Sequence, residues 1–256
     1  MEGLLRDLIF YAFAGLLVLL RFDARRFSAA EHDNEDAEGG WRLWLRRLSW
    51  YGLGLVIVIV VYNLHPLPLS QLHLQLGIDT GQSLLAGLAL GAIGTLIAIS
   101  YGWLRFGRLR YPPPHRYPQA LLSSIGTALV DEAAFRGILL GLLLAANWPL
   151  TYAIAFQAVL YALATRLSRP GMPLGMLGLA LAVGLVGGWL TVETGGIGAA
   201  FLGHALTRLA VFVATGHAGV RREPDEDDVL DELEEQLPEG LEVVPEQESG
   251  LRQLLP

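Results

Sequence analysis

The chain of 256 residues contains no cysteine. Disulfides, thiolate metal ligands and thiol catalysis are therefore excluded. Lysine is absent as well, and all 18 basic residues are arginine, so no lysine amine is available for catalysis. No basic patch of the kind that tracks a nucleic-acid backbone is present, and no nucleic-acid partner is expected. The sequence is instead rich in apolar residues, at 53%, with mean hydropathy +0.44 and 30 glycines. A soluble domain of this size does not have that balance, whereas a protein crossing the membrane several times does. The formal charge of −7 says little about the whole chain, because roughly half of the acids lie beyond residue 220.

The apolar runs predict an all-α fold, a polytopic membrane bundle of seven transmembrane helices. The first span covers residues 4–20. Arg21, Arg25 and Arg26 follow it, the reverse of a cleavable signal peptide, so it reads as a retained anchor. A polar, acidic loop covers residues 23–40. Trp41, Trp44, Leu45 and Leu48 then share one helical face, with Arg42, Arg46 and Arg47 off it, which suits a helix at headgroup level leading into a second span that ends near Leu64. Residues 66–82 form a loop without a basic residue. The third span, 83–104, carries Gly87, Gly91 and Gly94 for close packing. The fourth runs over about 119–146, the fifth over 150–165, the glycine-rich sixth over 174–190, and the seventh over 197–215.

Arginines fall after the odd-numbered spans and hardly at all in the other loops. Under the positive-inside rule this places the N-terminus outside and the C-terminus in the cytoplasm of an inner (plasma) membrane, with membrane lipids as the surroundings. Three regions are expected: 1–66 with two N-terminal spans and an acidic, arginine-rich loop; 67–220 as the transmembrane core; and 221–256 as an acidic cytoplasmic tail. The tail reads as disordered or as one short amphipathic helix, and its charge would suit a basic cytoplasmic partner. It ends Leu254-Leu255-Pro256, which is not a prenylation signal.

Three charges interrupt the fourth span, in Asp131-Glu132-Ala133-Ala134-Phe135-Arg136-Gly137. An ionisable group at that depth costs several kcal/mol unless it is paired or solvated, so each marks a candidate site. Glu132 and Arg136 are four residues apart and can pair on one helical face. Asp131 lies about 100° round the helix and needs a cation from elsewhere. His204 is the one histidine inside an expected span, and Arg208 stands four residues on, on the same face. Arg208 needs a carboxylate, and the expected partner is Asp131, which would pack the fourth span against the seventh with His204 nearby. Paired carboxylates and a histidine are able to activate water, as a general base or around a divalent metal such as zinc.

The run Asp131-Glu132-x-x-x-Arg136-Gly137 resembles the first motif of the CPBP family, Glu-Glu-x-x-x-Arg. That family comprises the CaaX prenyl endopeptidases of type II and bacteriocin-processing or immunity proteins. Its second motif, Phe-x-x-x-His, corresponds here to Tyr161 through Thr165, and its third, His-x-x-x-Asn, to His204 through Arg208. Order and spacing hold from about residue 70 to 216. The resemblance implies four site positions, Asp131, Thr165, His204 and Arg208. Three of them depart from the family: Asp131 is shorter than glutamate, Thr165 replaces an imidazole, and Arg208 puts a cation where a neutral amide donates to the oxyanion. His217 lies about 20 Å along the helix from His204 and does not fill the gap.

Three functions remain in view. One is an intramembrane endopeptidase acting on a prenylated or transmembrane peptide, with Asp131 or Glu132 activating water, His204 assisting and Arg208 as oxyanion donor. The second is a family member that keeps the fold and serves as a binding, immunity or scaffold protein without cleaving. The third is a small transporter or immunity-type protein whose charges form a transport or proton site. The Thr165 and Arg208 substitutions favour the second.

Overall fold

A computed structural model describes residues 2–29, 40–109, 111–112, 114–168 and 174–215. The chain divides into a unit of residues 1–220 and a second of 221–256; the second, with the acidic tail, lies outside the described residues. So does most of the acidic loop that precedes residue 40.

A helix stands at each of the seven places where a span is expected, and the described residues contain no strand. They are α1 (Glu2–Phe22), α2 (Gly40–Leu64), α3 (Thr80–Phe106), α4, α5 (Leu150–Leu167), α6 (Leu174–Thr194) and α7 (Gly198–Thr215). The fourth is composite: α-helix Tyr117–Asp131, a π-helical stretch Glu132–Leu139, and α-helix Leu140–Ala145. Among the described residues five helices are long and apolar enough to cross a membrane, namely α2, α3, α5, α6 and α7. Of the remaining two, α1 carries Arg6, Asp7 and Arg21, and α4 carries the interrupting charges and is divided by the π-helical stretch. The protein is a polytopic helical membrane bundle.

Close helix contact comes from small residues, because lipid supplies no hydrophobic drive between apolar helices. Helix α3 lies along α7 through Gly87, Gly91 and Gly94, as the sequence pattern predicts. A Cβ added at Gly87 would stand 2.9 Å from the Ala199 carbonyl, and one at Gly91 would stand 2.5 Å from Leu206. Gly184 of α6 meets the Ala158 backbone of α5 in the same way, and the Gln157 Nε2 donates to the Gly184 carbonyl at 2.8 Å. The opposite face of α3 (Leu84, Leu85, Leu88 and Leu96) is exposed, as a lipid-facing stripe requires.

The segment 65–79 is a loop, as expected, but it is held down. Leu72 is fully buried, Ile78 N–H donates to the Thr194 carbonyl at 2.9 Å, and Ile197 N–H donates to the His73 carbonyl at 3.1 Å. Those bonds satisfy loop backbone that would otherwise be orphaned in an apolar setting. Gly137 and Gly141 of α4 give the loop room against the helix.

Two arginines sit differently from the sequence reading. Arg47 is buried, and its Nε donates to the Ser28 carbonyl at 2.9 Å; only Arg42 and Arg46 remain exposed at the N-terminal end of α2. Arg21 is also buried rather than a solvated flank of the first span. It lies on the stripe Ala14, Leu17, Val18, Arg21 at helical spacing, the face of α1 that packs inward.

Candidate functional site

Eight polar side chains from four helices converge within the bundle, in two tiers. The first is built on the π-helical stretch of α4, a distortion that recurs at functional sites because it re-aims side chains. Glu132 Oε2 meets Arg136 Nε at 3.3 Å, the pair expected from their spacing. Glu132 Oε1 meets His204 Nδ1 of α7 at 2.7 Å. On the far side of the ring, His204 Nε2 meets the Tyr161 hydroxyl of α5 at 3.0 Å. A carboxylate only accepts, so Nδ1–H donates to Glu132, and the neutral ring then accepts the Tyr161 O–H at Nε2. Both imidazole nitrogens are thereby engaged. The Arg136 guanidinium lies 4.2 Å from the Tyr161 ring centroid, and Phe135 meets the same ring edge-on. Glu132 and Arg136 are fully buried, and Tyr161 and His204 are each 3% exposed.

The second tier lies beside the first, near the ends of α1 and α5. Asp131 Oδ1 is 3.1 Å from Arg21 Nε, and both side chains are buried. Arg21 Nη2 donates to Thr165 Oγ1 at 3.4 Å. Arg208, one turn beyond His204 on α7, faces the electrostatic field of Arg21, Tyr161, Asp131 and Tyr51.

Here one expectation fails. Helices α4 and α7 do pack together, with His204 between them, but Arg208 does not close on Asp131. Arg21 has taken that carboxylate. Among the described residues Arg208 has no carboxylate within ion-pair range, and its Nε and Nη2 are buried without a hydrogen bond. The reason is steric access: Arg21 comes from the inward face of α1 directly onto Asp131, and its fork reaches Thr165 at the same time.

The structure thus brings together all six residues singled out from sequence: Asp131, Glu132, Arg136, Thr165, His204 and Arg208. It adds Arg21 and Tyr161. Tyr161 was within reach of sequence reasoning, since it occupies the first position of the second motif. Arg21 carried a signal too, in the periodicity of α1.

A divalent metal does not suit this arrangement. Among the described residues no three His, Asp or Glu side chains gather to hold one. The carboxylates of Asp131 and Glu132 each face a guanidinium, and His204 has both nitrogens engaged. What the site can do chemically is hold charge: three guanidiniums (Arg21, Arg136, Arg208) surround two carboxylates, leaving one cation unmatched among the described residues.

By fold and site the protein is an integral membrane helical bundle organised around buried charges. Residues 113–210 match the family described as Type II CAAX prenyl endopeptidase Rce1-like. The matched segment contains every motif position from Asp131 to Arg208 and supports membership of the CPBP family, as the motifs suggest. Arg21 lies outside it. No curated protein and no solved structure matches the chain.

Proposed function

We propose that this CAAX-protease-like membrane protein is a non-catalytic member of its family, serving as a binding, immunity or scaffold protein for a prenylated or transmembrane peptide. The observation that carries this reading is the double closure of the site. A general base needs a free lone pair facing a water. Asp131 faces Arg21 through Oδ1, Glu132 faces Arg136 and His204, and the remaining His204 nitrogen accepts a hydrogen bond from the Tyr161 O–H. Threonine at 165 supplies no base near neutral pH and is itself bonded to Arg21. The protein resides in an inner (plasma) membrane with its N-terminus outside and its C-terminus in the cytoplasm, a proposal supported by the arginine distribution. The acidic tail would then meet a basic cytoplasmic partner.

An endopeptidase is the second reading, favoured by one observation: the 2.7 Å contact between Glu132 and His204 is a carboxylate–imidazole pair of the kind that orients a base. The two are separated by incubating the full chain with a prenylated test peptide. The expected result is no cleavage by the native chain, and cleavage gained only when Arg21→Met, Thr165→His and Arg208→Asn are combined. Cleavage by the native chain that is lost in a folded His204→Asn variant would establish the endopeptidase instead.

A further inference from the structure

We infer that Arg21 and Arg208 form a binding site for a phosphate group, supplied by the headgroup of an anionic phospholipid. Within the cluster, Asp131 and Glu132 balance only two of the three arginines. Arg21 is 98% buried as a residue with 2% exposure, yet its Nη1 has no hydrogen-bond partner among the described residues. Arg208 contributes two more buried and unpartnered nitrogens, Nε and Nη2. A guanidinium so placed is costly unless an anion meets it, and the guanidinium fork matches phosphate oxygens in pairs.

The position favours a lipid as the source. Arg21 and Thr165 stand in the last turns of α1 and α5, so this tier lies close to one end of the bundle. Arg208 is not sealed in: the side chain is half-buried on α7, and its long arm is able to extend toward that end, as arginines near helix ends do. Phospholipid phosphate is the anion present there at high local concentration. The ligand would sit beside Asp131 without displacing Arg21, since the Arg21 Nε faces Asp131 and the Nη1 is free. This site stands whether or not the chain cleaves peptides, and its test contains no cleavage step.

The test titrates the detergent-purified full chain with phosphatidylglycerol, with a diacylglycerol of the same acyl chains, and with inorganic phosphate, reading the shift in unfolding temperature. Phosphatidylglycerol is expected to raise that temperature saturably, and diacylglycerol to leave it unchanged. In Arg208→Gln the apparent affinity should fall by about tenfold or more, the loss of one charged fork, while Arg42→Gln at the exposed end of α2 should bind as the native chain does. Without lipid, Arg208→Gln should unfold no earlier than native, because it removes an unmatched charge. Arg208→Lys, which keeps the charge and loses the fork, should weaken binding as well and serves if the glutamine variant does not fold. An equal shift with inorganic phosphate alone would overturn the lipid source. Undiminished phosphatidylglycerol binding by Arg208→Gln, or by Arg208→Lys where that variant must serve, would overturn the site.

Discussion

At the scale of single residues, the site is decided by which cation reaches Asp131. Breaking a buried ion pair by removing one partner costs about 3–5 kcal/mol, since the other charge is left uncompensated, whereas replacing both by apolar groups is often neutral. Arg21→Met should therefore destabilise the protein by about that amount, and Arg21→Met with Asp131→Leu should restore most of it; unfolding of the four chains in detergent gives the coupling directly. Additive losses would mean that the 3.1 Å contact is not an ionic interaction of consequence. Glu132→Gln should cost a similar amount through Arg136, which then has no carboxylate at 3.3 Å. The Glu132–Arg136 pair was legible in the sequence because it is local, fixed by helical spacing alone. The neighbourhood of His204 followed from the scarcity of polar groups in the spans. The partner of Asp131 did not, because a charge-balance argument identifies that a cation is needed without saying which helix delivers it. Arg21 resembles a flanking positive charge, and only the register of α1 betrays it.

At the scale of elements, the helices and their order could be read from hydrophobicity because lipid imposes it: each backbone segment in the membrane must satisfy its own hydrogen bonds, so every long apolar run becomes a helix. The break in α4 was not legible. A π-helical stretch arises from packing around Glu132–Leu139 and leaves no mark on composition. Loop 65–79 was similarly opaque, since its burial depends on notches left by glycines on helices far away in sequence. Those notches make a prediction. A Cβ at Gly141 would press on the Gln71 carbonyl and stand 2.8 Å from the Leu72 Cα, both backbone atoms that cannot rotate aside. Gly141→Ala should therefore destabilise by about 1–3 kcal/mol. Gly52→Ala in α2, where an added Cβ meets nothing within 4 Å, should be neutral or stabilise by up to about 1 kcal/mol. Thermal unfolding of the pair in one detergent checks the contrast; equal effects would mean that loop 65–79 does not rest on α4.

At the scale of the whole molecule, orientation links the site to its ligands. The tier of Asp131, Arg21, Thr165 and Arg208 lies toward the end where α1 and α5 stop and α4 begins. The loops at that end hold the arginines, whereas loop 65–79 at the other holds none. On the orientation proposed above from the positive-inside rule, the unmatched cation would face the cytoplasmic leaflet, where anionic lipid is concentrated and where a lipidated peptide would approach. The absence of cysteine makes this directly measurable, because any introduced thiol is the sole reactive one. Ser70 in loop 65–79 and Tyr111 beyond α3 are both exposed. In intact cells, Ser70→Cys should react with a membrane-impermeant maleimide, and Tyr111→Cys should react only after the membrane is opened. The reverse pattern would invert the protein and turn the Arg208 tier away from the cytoplasm. A cytoplasmic lipidated peptide would then have no route to the site, and the phosphate would have to come from the outer leaflet.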